Sequence, residues 1–221
     1  MTAPPLRCRN LHCRRPLWRQ GASAVRGISM EFDPGRFHAI TGTDGCGHNL
    51  LLHLLGLLEQ PDLGEVLVGD IVATSLEDTA RDGLRQENFG FLFPACALLP
   101  SLTVLENIAF PVLKTGGLSE ADQAEHTLFA LQFCGLEDDA QSVTGTLTPE
   151  RQSLVSFARA IVHRPRVIIA ESPTEAETLV ALGRRAVDDL GLTVVWGTQT
   201  GGQAAAAADR VLSMEDGRLV S

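Results

Sequence analysis

The feature that most constrains this chain is the alternation in its final third. Val167–Ala170 and Thr193–Trp196 are short runs of apolar and β-branched residues, separated by a helical pattern from about Glu175 to Asp189. A second helical stretch around Ala204 leads into another run, Arg210–Met214. Strands without a polar face must be covered on both sides, and strands that alternate with helices pair in parallel. The pattern predicts an α/β protein with a parallel sheet flanked by helices. Phe37–Thr41 reads as a further strand of the same kind, and Glu65–Val68 as a strand after the turn Pro61–Gly64. Ile28, Met30 and Phe32 alternate with polar neighbours before the turn Asp33-Pro34-Gly35. The middle of the chain is helical. Ser119 and Asp122 form a capping-box pattern ahead of Leu128, Leu131 and Phe133. Thr148, Pro149 and Glu150 supply a cap, a first-position proline and a first-turn acid to a helix that turns Leu154, Val155, Phe157, Ala158 and Ile161 inward.

Between the strand Phe37–Thr41 and a helix from about Gly47 to Leu58 lies Gly42-Thr43-Asp44-Gly45-Cys46-Gly47-His48-Asn49. Its G-x-x-x-x-G frame is that of a phosphate loop, in which backbone N–H groups surround phosphates at a helix N-terminus. The residues that should follow are Lys, for positive charge, and Ser or Thr, for Mg²⁺. Here they are His48 and Asn49. A free imidazole is mostly neutral at pH 7, and an amide oxygen is a poor substitute for the hydroxyl. A tight strand-to-helix turn explains Gly42, Gly45 and Gly47 equally well, and a cap or surface position at the helix start explains His48.

Composition narrows the class. The net charge of −9 argues against a broad nucleic-acid surface, and an aromatic content of 5% without tyrosine offers no base-stacking platform. No apolar run approaches the roughly 18 residues of a membrane span; the longest, Leu50 to Leu58, is broken by His53 and Gly56. The first residues hold no apolar leader region. The five cysteines, at 8, 13, 46, 96 and 134, are odd in number and scattered, as expected of reduced thiols. Cys8, His12 and Cys13 have no second ligand cluster, so no metal site is assigned.

Four stretches in order carry a resemblance: LLHLLGLLEQPDLGEV, FGFLFPACALLPSLTVLENIAFPV, FARAIVHRPRVIIAESPTEA and ADRVLSMEDGRLV. Together with the glycine loop they resemble the nucleotide-binding subunit of ATP-binding cassette (ABC) transporters, of the lipoprotein-release and macrolide-export branch. The resemblance covers nearly all of residues 6–220. It implies a RecA-like P-loop core with an antiparallel β subdomain and an inserted helical lobe near 90–160, forming a single domain over 1–221.

The family's reactive positions fall on substituted residues. The phosphate-loop lysine falls on His48 and its hydroxyl neighbour on Asn49. The Q-loop glutamine falls on Pro94, the metal-binding aspartate on Glu171, the catalytic glutamate on Ser172 and the switch histidine on Gln199. The signature LSGGQ falls on Leu147, Thr148, Pro149, Glu150 and Arg151, the adenine-stacking aromatic on about Arg15 with Trp18 nearby, and the D-loop aspartate near Thr178. Each lost charge-assisted phosphate bond is worth about 1.5–3 kcal/mol, and loss of a general base costs roughly 10²–10⁴ in rate. Pro149 removes an N–H, and Glu150 sets a negative charge where a phosphate would approach, which Arg151 could offset.

The resemblance with these substitutions implies a pseudo-ATPase without catalytic residues, needing no cofactor beyond weak ATP and Mg²⁺ binding. It would be a structural or regulatory subunit of an export complex, cytoplasmic and peripheral on the inner face of the membrane. Its partners would be membrane-embedded subunits, docked through a segment of about 94–111, and a second cassette subunit, like or unlike. The alternative is an atypical active ATPase using Glu171, His48 and water.

Overall fold

A computed structural model describes residues 4–16, 22–93, 97–114, 117–171 and 177–220. Pro94, Cys96, Trp18 and Ser172 lie outside the described residues. Two sheets share the chain. The first is antiparallel, with β1 (Leu6–Pro16), β2 (Ala22–Phe32), β4 (Leu63–Val68) and β5 (Ile71–Val72) in the order β2-β1-β4-β5. The second holds β3 (Phe37–Gly42), β6 (Phe89–Leu92), β7 (Val167–Glu171), β8 (Thr193–Gln199), β9 (Arg210–Glu215) and β10 (Arg218–Val220), ordered β10-β9-β3-β8-β7-β6. Within it β9, β3, β8, β7 and β6 are parallel, and β10 closes the edge as an antiparallel hairpin with β9.

The inner parallel strands are buried because other elements cover both their faces, whereas β9 stays largely exposed. β3 and the apolar part of β7 expose almost nothing, the polar His38 and Thr41 of β3 included. One core joins the sheet to α3 (Val104–Lys114), α4 (Glu120–Cys134), α5 (Pro149–Ile161) and α6 (Glu177–Leu190), with Trp196 stacked on Phe37 at 5.7 Å near its centre. The other core lies between α1 (His48–Leu55) and the antiparallel sheet, where Leu51, Leu52, Leu54 and Leu55 are fully buried with Leu6, Leu11 and Phe32. A short α7 (Gln203–Ala207) precedes β9.

The capping box of Ser119 and Asp122 forms as its sequence predicts, with reciprocal side-chain to backbone bonds. Thr148 caps α5, and Pro149 stands at its first position. The start of the helical lobe is corrected. Residues 89–92 form β6, which pairs in parallel with β7 from Phe89↔Val167 to Leu92↔Ala170, so they belong to the core sheet. α2 (Asp78–Asn88) and β10 are among the elements that carry no sequence assignment. α2 buries none of its residues, so it has no apolar stripe to betray it. The β9–β10 hairpin had a readable signal: Asp216 and Gly217 both take positive φ, as a two-residue hairpin turn requires.

Candidate functional site

The register of the parallel sheet builds the site. Gly42 pairs with Gln199, and Glu171 pairs with Gly197, so the carboxyl ends of β3, β8 and β7 stand side by side. Ligand crevices of open α/β sheets form at such ends. The glycine loop begins there. A Cβ on Gly42 would stand 2.4 Å from the Cys46 sulfur and 2.7 Å from the Met214 carbonyl, so the loop folds back tightly on its own strand. Gly47 starts α1 at φ 100°, and a Cβ there would meet the Ala24 carbonyl oxygen at 2.2 Å. The Gly217 N–H donates to the Cys46 carbonyl at 2.8 Å, which ties the loop to the β9–β10 turn. On the other side, Gly45 has nothing near its Cβ position, so that face of the loop is open.

The side chains give this cradle an unusual charge. His48 is 5% exposed. Its Nδ1 lies 3.1 Å from the Cys46 sulfur, and its ring edge would be 3.2 Å from a Cβ on Gly197. It is therefore an inward-packed residue, which corrects the reading of a cap or surface position. Burial pushes its imidazole below the usual histidine range, against the opposing pull of Asp44 and Glu171. Burial also pushes the Cys46 thiol up, away from the thiolate. At the open face, Gln199 Nε2 donates to Asp44 Oδ1 at 3.2 Å. At the back, Glu171 Oε2 is 2.8 Å from His53 Nε2. That bond raises the His53 imidazole above its usual range, more than burial lowers it. Asn49 Oδ1 is buried and has no hydrogen-bond partner among the described residues.

The structure thus brings Gly42, Gly45, Gly47, His48, Asn49, Glu171 and Gln199 to one place. It adds Asp44 and His53, which the sequence reading missed. His53 had a signal, a lone imidazole in the apolar run 50–58; Asp44 had none. The backbone has the shape of a phosphate cradle, but residues 42–49 hold one aspartate and no lysine or arginine. That donor set does not match a magnesium triphosphate, although the unpartnered Asn49 oxygen and the Glu171 carboxylate are both cation-ligating types.

Leu147–Arg151 belongs instead to the helical layer, because α5 packs on α3, α4 and β6. The Thr148 side chain accepts from the Arg151 N–H at 3.4 Å, and Glu150 is exposed in the first turn. Arg151 does not offset Glu150: its guanidinium is paired with Asp139. Arg15 is likewise engaged, 2.9 Å from Asp62 and 3.4 Å from Glu59. Thr178 is exposed at the start of α6.

Within the described part of segment 94–111, Val104, Asn107 and Ile108 face inward. Asn107 is 1% exposed; its Nδ2 donates to the Leu99 carbonyl at 3.0 Å, and its Oδ1 accepts from the Leu99 N–H at 2.9 Å. Leu99 and Phe110 remain exposed. Phe110 borders a groove of about 400 Å³ between α2, β6, α3 and α5, lined by Arg85, Phe91, Lys114, Arg159 and others.

A two-sheet α/β cassette with a phosphate-loop frame at its strand ends defines an ATP-binding cassette protein. The chain belongs to the ABC transporter family, whose pattern matches residues 25–175. It is 34% identical over its full length to the macrolide export ATP-binding/permease protein MacB of Burkholderia pseudomallei, of which it spans 34%. The chain thus covers about a third of the length of that relative. It is 33% identical, over 86% of its own length and 85% of the relative's, to the lipoprotein-releasing system ATP-binding protein LolD of Granulibacter bethesdensis. Among solved structures it superposes on the ATP-binding cassette MJ0796, a dimer bound to ADP and Pi, with a TM-score of 0.85 and 26% identity, covering 98% of this chain and 97% of that one. No described helix is long and apolar enough to cross a membrane.

Proposed function

We propose that this chain is a cassette subunit that does not turn over ATP at its own site and acts as a structural or regulatory part of a membrane export complex. One observation carries the reading: the position that follows the glycine frame holds a buried, neutral imidazole, with Asp44 at the open face of the loop. A triphosphate entering there meets backbone N–H groups but no side-chain cation, and it meets a carboxylate that water would otherwise solvate. Ser172 adds no base, and Gln199, bonded to Asp44, adds no positive charge. Gly42, Gly45 and Gly47 then serve mainly the turn, and Pro149, Glu150 and Arg151 serve the start of α5. On this reading the chain sits on the inner face of the membrane, meets a membrane-embedded subunit through the groove beside segment 94–111, and pairs with a second cassette subunit. LolD and MacB, named for lipoprotein release and macrolide export, support the export context.

Steady-state Mg-ATPase measurements on the full chain, alone and with its membrane partner, should give no turnover above background. Nucleotide titration should give a dissociation constant weaker than about 1 mM, or about −4 kcal/mol. The unpartnered Asn49 oxygen and the Glu171 carboxylate favour a second reading, an atypical ATPase with weak Mg²⁺ binding. Magnesium-dependent turnover that disappears in Glu171→Ala would establish the second reading and end the first.

A further inference from the structure

The groove beside α3 has a charge opposite to that of the protein. The chain carries 27 acidic against 18 basic residues. Yet the described lining of the groove holds Arg85, Lys114 and Arg159 and no carboxylate. The neighbouring residues 94–96 and 115–116 include no acid in sequence either. Each cation is held in place. Lys114 Nζ stands 5.3 Å over the Phe110 ring, Arg159 Nη1 donates to the Ala97 carbonyl at 2.7 Å, and Arg85 is 2.8 Å from Asp82 on its own helix. His163 bonds the Phe89 carbonyl at 3.0 Å; burial lowers its imidazole, so it contributes polarity rather than charge. The floor is aromatic, with Phe91 stacked between Phe89 at 6.1 Å and Phe93 at 5.7 Å. Phe110 and Leu113, 43% and 63% exposed, carry the apolar surface onto the rim of α3.

We infer that the occupant of this groove is an acidic amphipathic segment of the membrane subunit, with an apolar face on Phe91 and Phe110 and carboxylates beside Lys114 and Arg159, Arg85 being already paired with Asp82. The inference rests on the docking reading above and adds the partner's chemistry. An apolar floor alone would accept any hydrophobic segment. Lys114 and Arg159 penalise a lysine- or arginine-bearing one and reward glutamate or aspartate, which is how charge complementarity selects between partners of similar shape.

The test titrates the full chain with three fluorescein-labelled helical peptides that share one apolar stripe and carry Glu, Gln or Lys beside it, read by anisotropy. The Glu peptide should bind tightest, and each step to Gln and then Lys should weaken binding about fivefold. Lys114→Glu, at an exposed position, should reverse the order, and Phe110→Ser should weaken all three. Equal binding of the Glu and Gln peptides, no binding of any peptide, or displacement of the Glu peptide by oleate at lower concentration would each overturn the inference. The last outcome would assign the groove to a small anionic amphiphile. Docking is tested separately with a photo-crosslinker placed at Leu113. Capture of a membrane subunit whose crosslinked segment lacks Asp and Glu would overturn the acidic segment and leave docking standing. Absence of any membrane-protein crosslink, with the peptide order as expected, would overturn docking and leave the groove's charge preference standing.

Discussion

His48 and His53 stand on the same helix and are pushed in opposite directions. His48 is packed against Cys46 and the position of Gly197, and loss of water lowers its affinity for a proton. His53 reaches Glu171, and that bond raises its affinity. Their contributions to stability therefore slope in opposite senses with pH. The His53 contribution is complete below the ordinary histidine range and fades as pH rises through the elevated folded value. The His48 contribution is complete above the ordinary range and is lost as pH falls toward its depressed folded value. His53→Gln should accordingly lower Tm more at pH 6 than at pH 8, measured by circular dichroism in the same buffers. An equal change at both pH values would mean that the Glu171 bond does not favour the cation. Asn107 illustrates a different rule. Its amide is buried and bonded to Leu99, Thr103 and Thr144, so it staples the segment 99–103 to the helical layer. Asn107→Ala leaves the Leu99 N–H without its partner, while the Leu99 carbonyl keeps the Thr144 hydroxyl and the Leu102 N–H, and should cost about 1–3 kcal/mol in urea unfolding.

Helix starts in this chain are set by particular side chains. Thr148 caps α5 and Ser119 caps α4, each with a hydroxyl accepting from a first-turn N–H. Thr148→Ala should remove about 1 kcal/mol of stability in urea unfolding. α1 starts by another means. Its N-terminal flank is Gly47 at φ 100°, pressed on the Ala24 carbonyl, with no side-chain cap. Gly47→Ala brings a left-handed backbone strain and a steric overlap together, and should cost about 2–5 kcal/mol. The glycine frame thus has a structural reason to persist whether or not phosphate binds. α2 shows the converse. It has no fully buried residue: Leu84 packs part-buried against the core, Arg85 donates to the Leu57 carbonyl at 3.1 Å, and ion pairs within its own turns such as Arg85–Asp82 are individually weak.

Across the molecule, the parallel register assembles the site from three segments distant in sequence: the glycine loop with α1, the end of β7 and the end of β8. Because the backbone frame is in place, the missing charge is the expected limit on nucleotide affinity. Restoring it with His48→Lys, Asn49→Ser and Asp44→Ser together should tighten nucleotide binding at least tenfold by calorimetry. His48→Lys alone, with Asp44 kept and a cation introduced where a neutral ring is packed, should gain less. Equal gains from the single and triple variants would remove Asp44 as an obstacle. The parallel core, the glycine turn and the caps of α4 and α5 were legible in the sequence, because buried strands, left-handed turns and helix starts each demand particular residue types locally. α2 and β6 were not legible, since a helix without an apolar stripe and a four-residue strand carry too little periodicity to read. Which charges meet was also hidden. The pairings Gln199–Asp44, His53–Glu171 and Arg151–Asp139, and the cations gathered around one aromatic groove, depend on strand register and helix packing. Those relations join residues far apart in the chain, and electrostatic interaction follows distance in space.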